Sequence, residues 1–344
     1  MSREGGTLAS VYGLPPAEAP FPVEVPVRMR ADLTPLAGEL LARGPDDDAL
    51  LAAKRDALRL RAERVRGRDP ERTLAAAASG VAATLSALAR LRPDAVRAAG
   101  AGEDGALPGP GRGRAWSFPR LNEELRDLLE RSPEPLRLAD ALALSLPEDL
   151  VWMRNDGAAG RASLLHVAFP SRWAPERRGG ASLTELHGPV ADGERLRAAS
   201  AALMRAIAHK GPFERHVWSL APTPALDLHP RATEAGPARP TDPATGPLAS
   251  TWWRVERQTT LPFPEADLAL FAIRVGIARL DAVLAVEPGR AARLAAALRS
   301  MSPAVLDYKG VDDPAPLLDA LDTVAREEAD VTAPASAPRR SRPR

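Results

Sequence analysis

The run Trp253-Arg254-Val255-Glu256-Arg257-Gln258-Thr259 constrains the fold more than any other stretch of the chain. It has the texture of a β-strand, yet two guanidiniums, a carboxylate and an amide alternate with large apolar residues. Successive side chains of a strand point to opposite faces. Trp253, Val255 and Arg257 therefore share one face, and Arg254, Glu256 and Gln258 share the other. Whichever face is buried takes an arginine with it. A buried guanidinium needs a partner, either a carboxylate of the protein or an anionic ligand. The strand is thus a hint of a site inside a sheet.

With 344 residues the chain can bury a substantial core, as one large domain or two smaller ones. Lys and Arg number 46 against 45 Asp and Glu, so there is no overall field to attract nucleic acid or an acidic partner. The absence of cysteine excludes disulfides, iron–sulfur clusters, thiolate nucleophiles and thiolate-ligated haem. Any metal must be held by the five histidines or by carboxylates. The N-terminus lacks the apolar segment of a secretory signal, and no apolar run approaches the roughly 20 residues of a membrane span. These features predict a cytoplasmic chain with neither membrane nor nucleic-acid partners.

Residues 1–25 are rich in Pro and Gly and are expected to be extended. A charged helix is predicted over 47–67. A second is predicted to open with Asp69 as N-cap and Pro70 at its first position, and to run to about Arg92. Gly100, Gly102 and Gly105 form a nominal dinucleotide fingerprint, but the motif follows a helix and leads into loop, the reverse of what a Rossmann turn needs. Helices are expected at Glu123–Arg131, Leu136–Leu144, 194–209, 289–301 and 315–328, and strands at 150–154, 163–169, 215–220, 251–259 and 268–275. The excursion 222–249 reads as too polar and Pro-dense for core structure. The basic tail 331–344 reads as disordered. Long excursions between strands favour an α+β fold with an antiparallel sheet.

His187 stands in Leu183-Thr184-Glu185-Leu186-His187-Gly188-Pro189, at the end of a helix stopped by Gly-Pro. A neutral imidazole there suits an axial metal ligand, and equally a histidine favoured by the negative end of the helix dipole. His166 reads as a satisfied core or edge histidine and His209 as an ordinary helix end. His216 could line a pocket, and His229 is expected to be solvated. Tyr308-Lys309-Gly310 follows a helix end and could place a phenol near a pocket; a packing Tyr with a solvated Lys is the alternative. No pair of histidines has zinc-hydrolase spacing, and no Gly-x-Ser-x-Gly elbow exists.

Six short motifs recur in a fixed order: Glu148-Asp149-Leu150, Phe169-Pro170-Ser171-Arg172-Trp173-Ala174-Pro175, Leu183 to Val190, Trp218-Ser219, Glu256-Arg257-Gln258-Thr259 and Tyr308-Lys309-Gly310. Together they resemble the haem-dependent oxidative N-demethylase alpha-subunit-like family, formerly a domain of unknown function, over roughly residues 25–325. The resemblance implies one domain over 26–330 with a PAS-like antiparallel sheet within about 146–276 and helices at both ends. It implies haem b, a bacterial monooxygenase acting on a small amine such as dimethylamine, and electrons from a separate reductase carrying NADPH, FMN and an iron–sulfur cluster. On the matching positions His187 becomes the candidate axial ligand. Arg257, with Arg172 or Arg178, becomes a candidate for the propionates or a distal polar group, and Trp218 and Tyr308 complete the cofactor-binding set. Thr260-Leu261-Pro262-Phe263-Pro264 lacks the arginines that usually follow the Glu-Arg-Gln-Thr motif, and the strand Phe271 to Gly276 lacks hydroxyls. The alternatives are a non-catalytic haem-binding sensor and a haem-free interaction protein of the same fold.

Overall fold

The computed structural model describes residues 15–41, 43–109, 113–188, 190–233 and 246–332. The expectations for residues 1–14, for 234–245 within the excursion, for 110–112 of the Gly/Pro loop and for the tail from 333 onward lie outside the described residues. The chain is α+β around a seven-stranded antiparallel sheet. Its strands are β1 (Thr34–Pro35), β2 (Arg66–Arg68), β5 (Asp149–Arg154), β6 (Arg161–His166), β7 (Phe213–Ala221), β8 (Trp252–Phe263) and β9 (Leu268–Arg279), in the order β1-β7-β8-β9-β5-β6-β2. A separate ribbon pairs β3 (Arg97–Ala98) with β4 (Trp116–Ser117).

The helices before the long strands are α1 (Asp47–Val65), α2 (Leu74–Leu91), α3 (Glu123–Glu130) and α4 (Arg137–Ala143). Between β6 and β7 lie α5 (Leu183–Leu186), α6 (Glu194–Ala198) and α7 (Ser200–His209). Two short turns, α8 (Pro230–Thr233) and α9 (Gly246–Ala249), precede β8. Four helices follow β9: α10 (Leu280–Leu284), α11 (Arg290–Arg299), α12 (Pro303–Lys309) and α13 (Ala315–Thr332).

Several boundaries differ from the sequence reading, each for a local reason. The cap of α2 is Thr73, whose hydroxyl accepts from the Ala76 N–H, an interaction worth about 1 kcal/mol. Asp69 instead closes a turn by accepting from the Glu71 N–H at 3.0 Å. The single helix expected over 194–209 is two, α6 and α7, meeting at Ala199. Val331 and Thr332 complete α13 rather than starting a tail. Part of the 222–249 excursion is core: Leu226 and Leu228 are buried against Trp252, Val275 and Ile277. Pro15 to Val23 is not a loose lead-in either, because Phe21 stacks on Trp253 at 5.1 Å and Ala19 and Val23 are buried. Finally, α2 is an 18-residue helix of mean hydropathy 1.5, long and apolar enough by composition to cross a membrane. Its face bearing Val81, Leu85 and Leu88 is buried in the core beneath Trp152 and Leu164.

Directly paired residues in a sheet share a face, so the registers sort the side chains. Trp253 and Val255 lie beside Leu220 and Trp218 of β7. Together they pack against α10, α11 and α13. Further along the same face, Leu150, Trp152, Leu164 and Leu270 pack against α2 and α4. The opposite face carries Val151, Met153, Leu165 and Ala269, covered by Leu183, Met204 and Ile207. The first face is closed by two helical clusters. The second is roofed by the β6–β7 segment, and there an opening remains.

Candidate functional site

That opening is a cavity of about 860 Å³ between the second face of the sheet and the roof formed by 171–197, with α12 at one end. Its volume falls within the ~300–1,000 Å³ common for small-molecule and cofactor sites. Val151, Met153, Leu165, Phe271 and Ile273 make its apolar floor. Among the described residues no three side chains of metal-ligating type gather to hold a bare ion.

The polar part of the floor is the second face of β8. Gln258 and Glu256 line the cavity, opposite Arg215 and Val217 of β7. Arg215 Nε donates to Gln258 Oε1 at 2.8 Å and its Nη1 to the Ala31 carbonyl at 3.0 Å. Gln258 Nε2 donates to Glu256 Oε2 at 2.7 Å, and the Ser171 hydroxyl donates to Glu256 Oε1. Behind Ser171 lies Arg254, 1% exposed. It donates to the Ser171 hydroxyl and the Phe169 carbonyl, both at 2.8 Å, and to the Ala225 carbonyl. The buried arginine that the sequence required is therefore Arg254, and its immediate partners are neutral. Burial lowers the pKa of both Arg254 and Arg215.

The segment carrying Ser171 is pinned from several sides. Both oxygens of Asp149 accept backbone N–H bonds, from Ala168 and from Phe169, each at 2.9 Å. Pro170 and Arg172 exchange backbone hydrogen bonds with Leu228. Arg172 adopts a left-handed φ of 64°, and its guanidinium donates to the carbonyls of Asp307 and Leu220. Those carbonyls belong to α12 and to the outer edge of β7. The same edge is covered by Lys309, whose ammonium donates to the Trp218 carbonyl at 2.7 Å and lies over the Trp218 ring. Gly310 (φ 88°) allows the close approach, since a Cβ there would stand 2.1 Å from the Leu220 oxygen. Lys309 is buried, not solvated, and burial lowers its pKa to about 8. Tyr308, the preceding residue, lines the cavity, and burial raises the pKa of its phenol.

His187 lies on the roof. A capping box formed by Ser182 and Glu185 starts α5, and His187 ends it. Arg197 holds the exit by donating to the His187 and Val190 carbonyls at 3.4 and 3.2 Å. The ring is half-buried at the cavity wall. Burial, aided by the positive charge of Arg215, lowers its pKa to about 4, so it is neutral at physiological pH. Its Nδ1 is buried and makes no hydrogen bond of acceptable geometry among the described residues. The Leu183 carbonyl, which accepts the His187 N–H, acts on the ring in the opposite sense and favours its protonated form.

Of the six candidate residues, His187, Arg172, Arg178, Trp218 and Tyr308 border this one cavity. Arg172 is spent on backbone carbonyls, and the Trp218 ring stacks on Trp253 at 5.0 Å. Arg257 is elsewhere: the pleat turns it to the opposite face, where it bonds Glu214 at 2.9 Å and the carbonyls of Glu39 and Leu40. The polar floor of Arg215, Gln258, Glu256 and Ser171 was missed as a site. The alternation of β8 was the signal, since it separates Arg257 from Glu256 and Gln258. His216 borders none of this cavity. His229 is buried rather than solvated, paired with Glu176 at 3.1 Å. His166 is buried 3.4 Å from Asp140, and His209 pairs with Asp267.

Fold and cavity together define an α+β protein that encloses a cavity between an antiparallel sheet and a short-helix roof. Residues 110–316, more than half of the chain, match the family described as haem-dependent oxidative N-demethylase, alpha subunit-like, and the chain belongs to that family. No curated protein matches it.

Proposed function

We propose that this chain is the oxygen-activating subunit of a haem-dependent oxidative N-demethylase, whose 860 Å³ cavity would take haem b and whose His187 would hold the iron. The observation that carries this reading is His187 itself: a neutral imidazole on the cavity wall whose buried Nδ1 makes no hydrogen bond of good geometry among the described residues. An iron ligand must be deprotonated, and a pKa of about 4 meets that requirement. The surroundings fit the group. Apolar floor residues and Trp173, Phe271 and Tyr308 suit a flat macrocycle, while Arg178 and Arg215 bring positive charge for propionates. When bound, haem would supply oxygen activation. The chain's own residues would bind and orient it, and keep water from the apolar floor.

The PAS-like reading is supported by the five long antiparallel strands, in which the last, β9, is central and the helical roof falls between the second and third. Electrons would come from a partner reductase carrying NADPH, FMN and an iron–sulfur cluster, because this chain has no cysteine. The substrate would be a small amine, and the place of action the cytoplasm. Haem reconstitution tests the assignment. A Soret band is expected in the wild type and lost or strongly shifted in His187→Ala. An unchanged band in that variant would reject His187 as ligand.

A further inference from the structure

A charged group withdrawn from water is normally paired with an opposite charge. Glu256 breaks that pattern. Among the described residues no Lys, Arg or His nitrogen comes within 4.0 Å of its carboxylate. Each of its oxygens instead accepts from a neutral donor, Ser171 on one side and Gln258 on the other. Three nearby cations, Arg254, Arg215 and Lys309, act on its charge electrostatically, but their hydrogen bonds go elsewhere, that of Lys309 to the Trp218 carbonyl. Arg254 is occupied by the Phe169 and Ala225 carbonyls and the Ser171 hydroxyl. Arg215 is occupied by the Ala31 carbonyl and Gln258.

The other two carboxylates on the cavity wall, Asp192 and Asp307, are exposed residues, whereas Glu256 is half-buried on the floor. Ser171 and Gln258 each occupy one lone pair of the carboxylate, so each oxygen keeps further acceptor capacity. Tyr308 and Trp173 line the same chamber and offer aromatic faces of the kind that attract alkylated cations. A neutral serine and a neutral glutamine hold this carboxylate in place without neutralising it.

We infer that Glu256 is the cation subsite of the cavity, and that the ligand it takes is the ammonium group of a small N-alkylated amine. Ser171 and Gln258 are its positioning residues. This deepens the amine-oxidation reading and rests on it for the identity of the substrate, while the subsite itself stands on the geometry of the floor.

The test measures binding of dimethylammonium chloride to the full-length, haem-loaded protein by calorimetry, with propan-2-ol as a neutral probe of similar size and shape. Wild type is expected to prefer dimethylammonium by at least tenfold. Glu256→Gln should erase that preference while leaving the Soret band and haem content unchanged, and Glu256→Asp should retain part of it. Equal affinity for the two probes in the wild type, or an undiminished preference in Glu256→Gln, overturns the assignment. If Glu256→Gln does not fold, Glu256→Asp decides: wild-type affinity in that variant, whose carboxylate is one methylene shorter, counts against the subsite. A protein without a Soret band that still binds dimethylammonium through Glu256 would refute the haem reading alone. A Soret band with no ammonium preference would refute the subsite alone.

Discussion

Around Lys54 buried charges stand within ion-pair distance of opposite charges, whereas the hydrogen bonds to Glu256 come from neutral groups. Lys54 is fully buried, with its ammonium 3.6 Å from Asp149 and donating to the carbonyls of Leu146 and Glu148. Arg274 reaches Asp46 and Asp47 at 2.5 and 2.7 Å, and Arg92 reaches Asp94 at 3.0 Å. Burial lowers the pKa of Lys54 and raises those of Glu148 and Asp149, with the opposing charges of the cluster working against each shift. In that cluster opposite charges lie within ion-pair distance of one another, although both carboxylate oxygens of Glu148 accept no hydrogen bond among the described residues. The cavity floor spends its guanidiniums on carbonyls and its carboxylate on a hydroxyl and an amide. Above it, the His187 Nδ1 makes no hydrogen bond among the described residues. Self-paired charge builds the frame, and charge held by neutral groups remains available to what enters.

The sharpest way to break this contrast is to remove the cation from the self-paired cluster. Lys54→Met leaves Asp149 and Glu148 buried without their ammonium, and losing one partner of a buried pair costs about 3–5 kcal/mol. Denaturant unfolding should show a loss of that size. A loss below about 1 kcal/mol would mean that the carboxylates simply take up protons and that the cluster holds less of the frame than its geometry implies. The damage should extend to the cavity, because Asp149 fixes the N–H groups of Ala168 and Phe169 just before Ser171.

His187 provides the second test, on the ligand side of the contrast. Its folded pKa of about 4 lies below the ordinary value of 6.5. Between those values the unfolded chain binds a proton that the apo native state does not, so stability rises with pH through that window. The contribution is fully present above about pH 6.5 and is lost as pH falls toward 4. For a ring that is not fully enclosed, the difference across the window is about 2–3 kcal/mol. Comparing the pH dependence of unfolding in apo wild type and His187→Gln isolates it. Identical slopes for the two proteins between pH 4 and 6.5 would place the ring in a wetter setting than the structure does.

The sequence disclosed the frame more readily than the site, and β8 shows why. Its alternation was visible, and so was the need for a buried arginine, because both follow from period two and the cost of desolvation. Which face was the cavity was not visible. That depends on which segment roofs the sheet, and the roof is made by residues 171–197, some 60 to 85 positions away in sequence. Arg257 was consequently favoured over Glu256, its neighbour on the other face. The sequence reading left out α12, although Ser302 and Pro303 mark its start and Gly310 its end, and its docking on the edge of β7 through Lys309 depends on long-range contact. Likewise the polarity of 222–249 hid Leu226 and Leu228, whose burial depends on long-range contact with Trp252 and Ile277.

The smallest expected effect is also the cleanest control on the two faces of β8. Arg257 ties the 39–40 segment to the sheet through the Glu39 and Leu40 carbonyls and pairs with Glu214. A partly exposed pair of this kind is worth about 1 kcal/mol. Gln in its place keeps a shorter amide donor at the same position. Arg257→Gln should therefore lower stability by about that amount and leave the Soret band and dimethylammonium binding as in wild type. Its neighbour Glu256 is expected to show the reverse, with binding altered and stability nearly kept. Adjacent residues on one strand would then differ only in the face they present. If Arg257→Gln instead weakened haem or amine binding as much as Glu256→Gln, the cavity would have to extend through the sheet to the side where Thr259 and Arg257 meet Leu40, and the division of β8 into a ligand face and a framing face would fail.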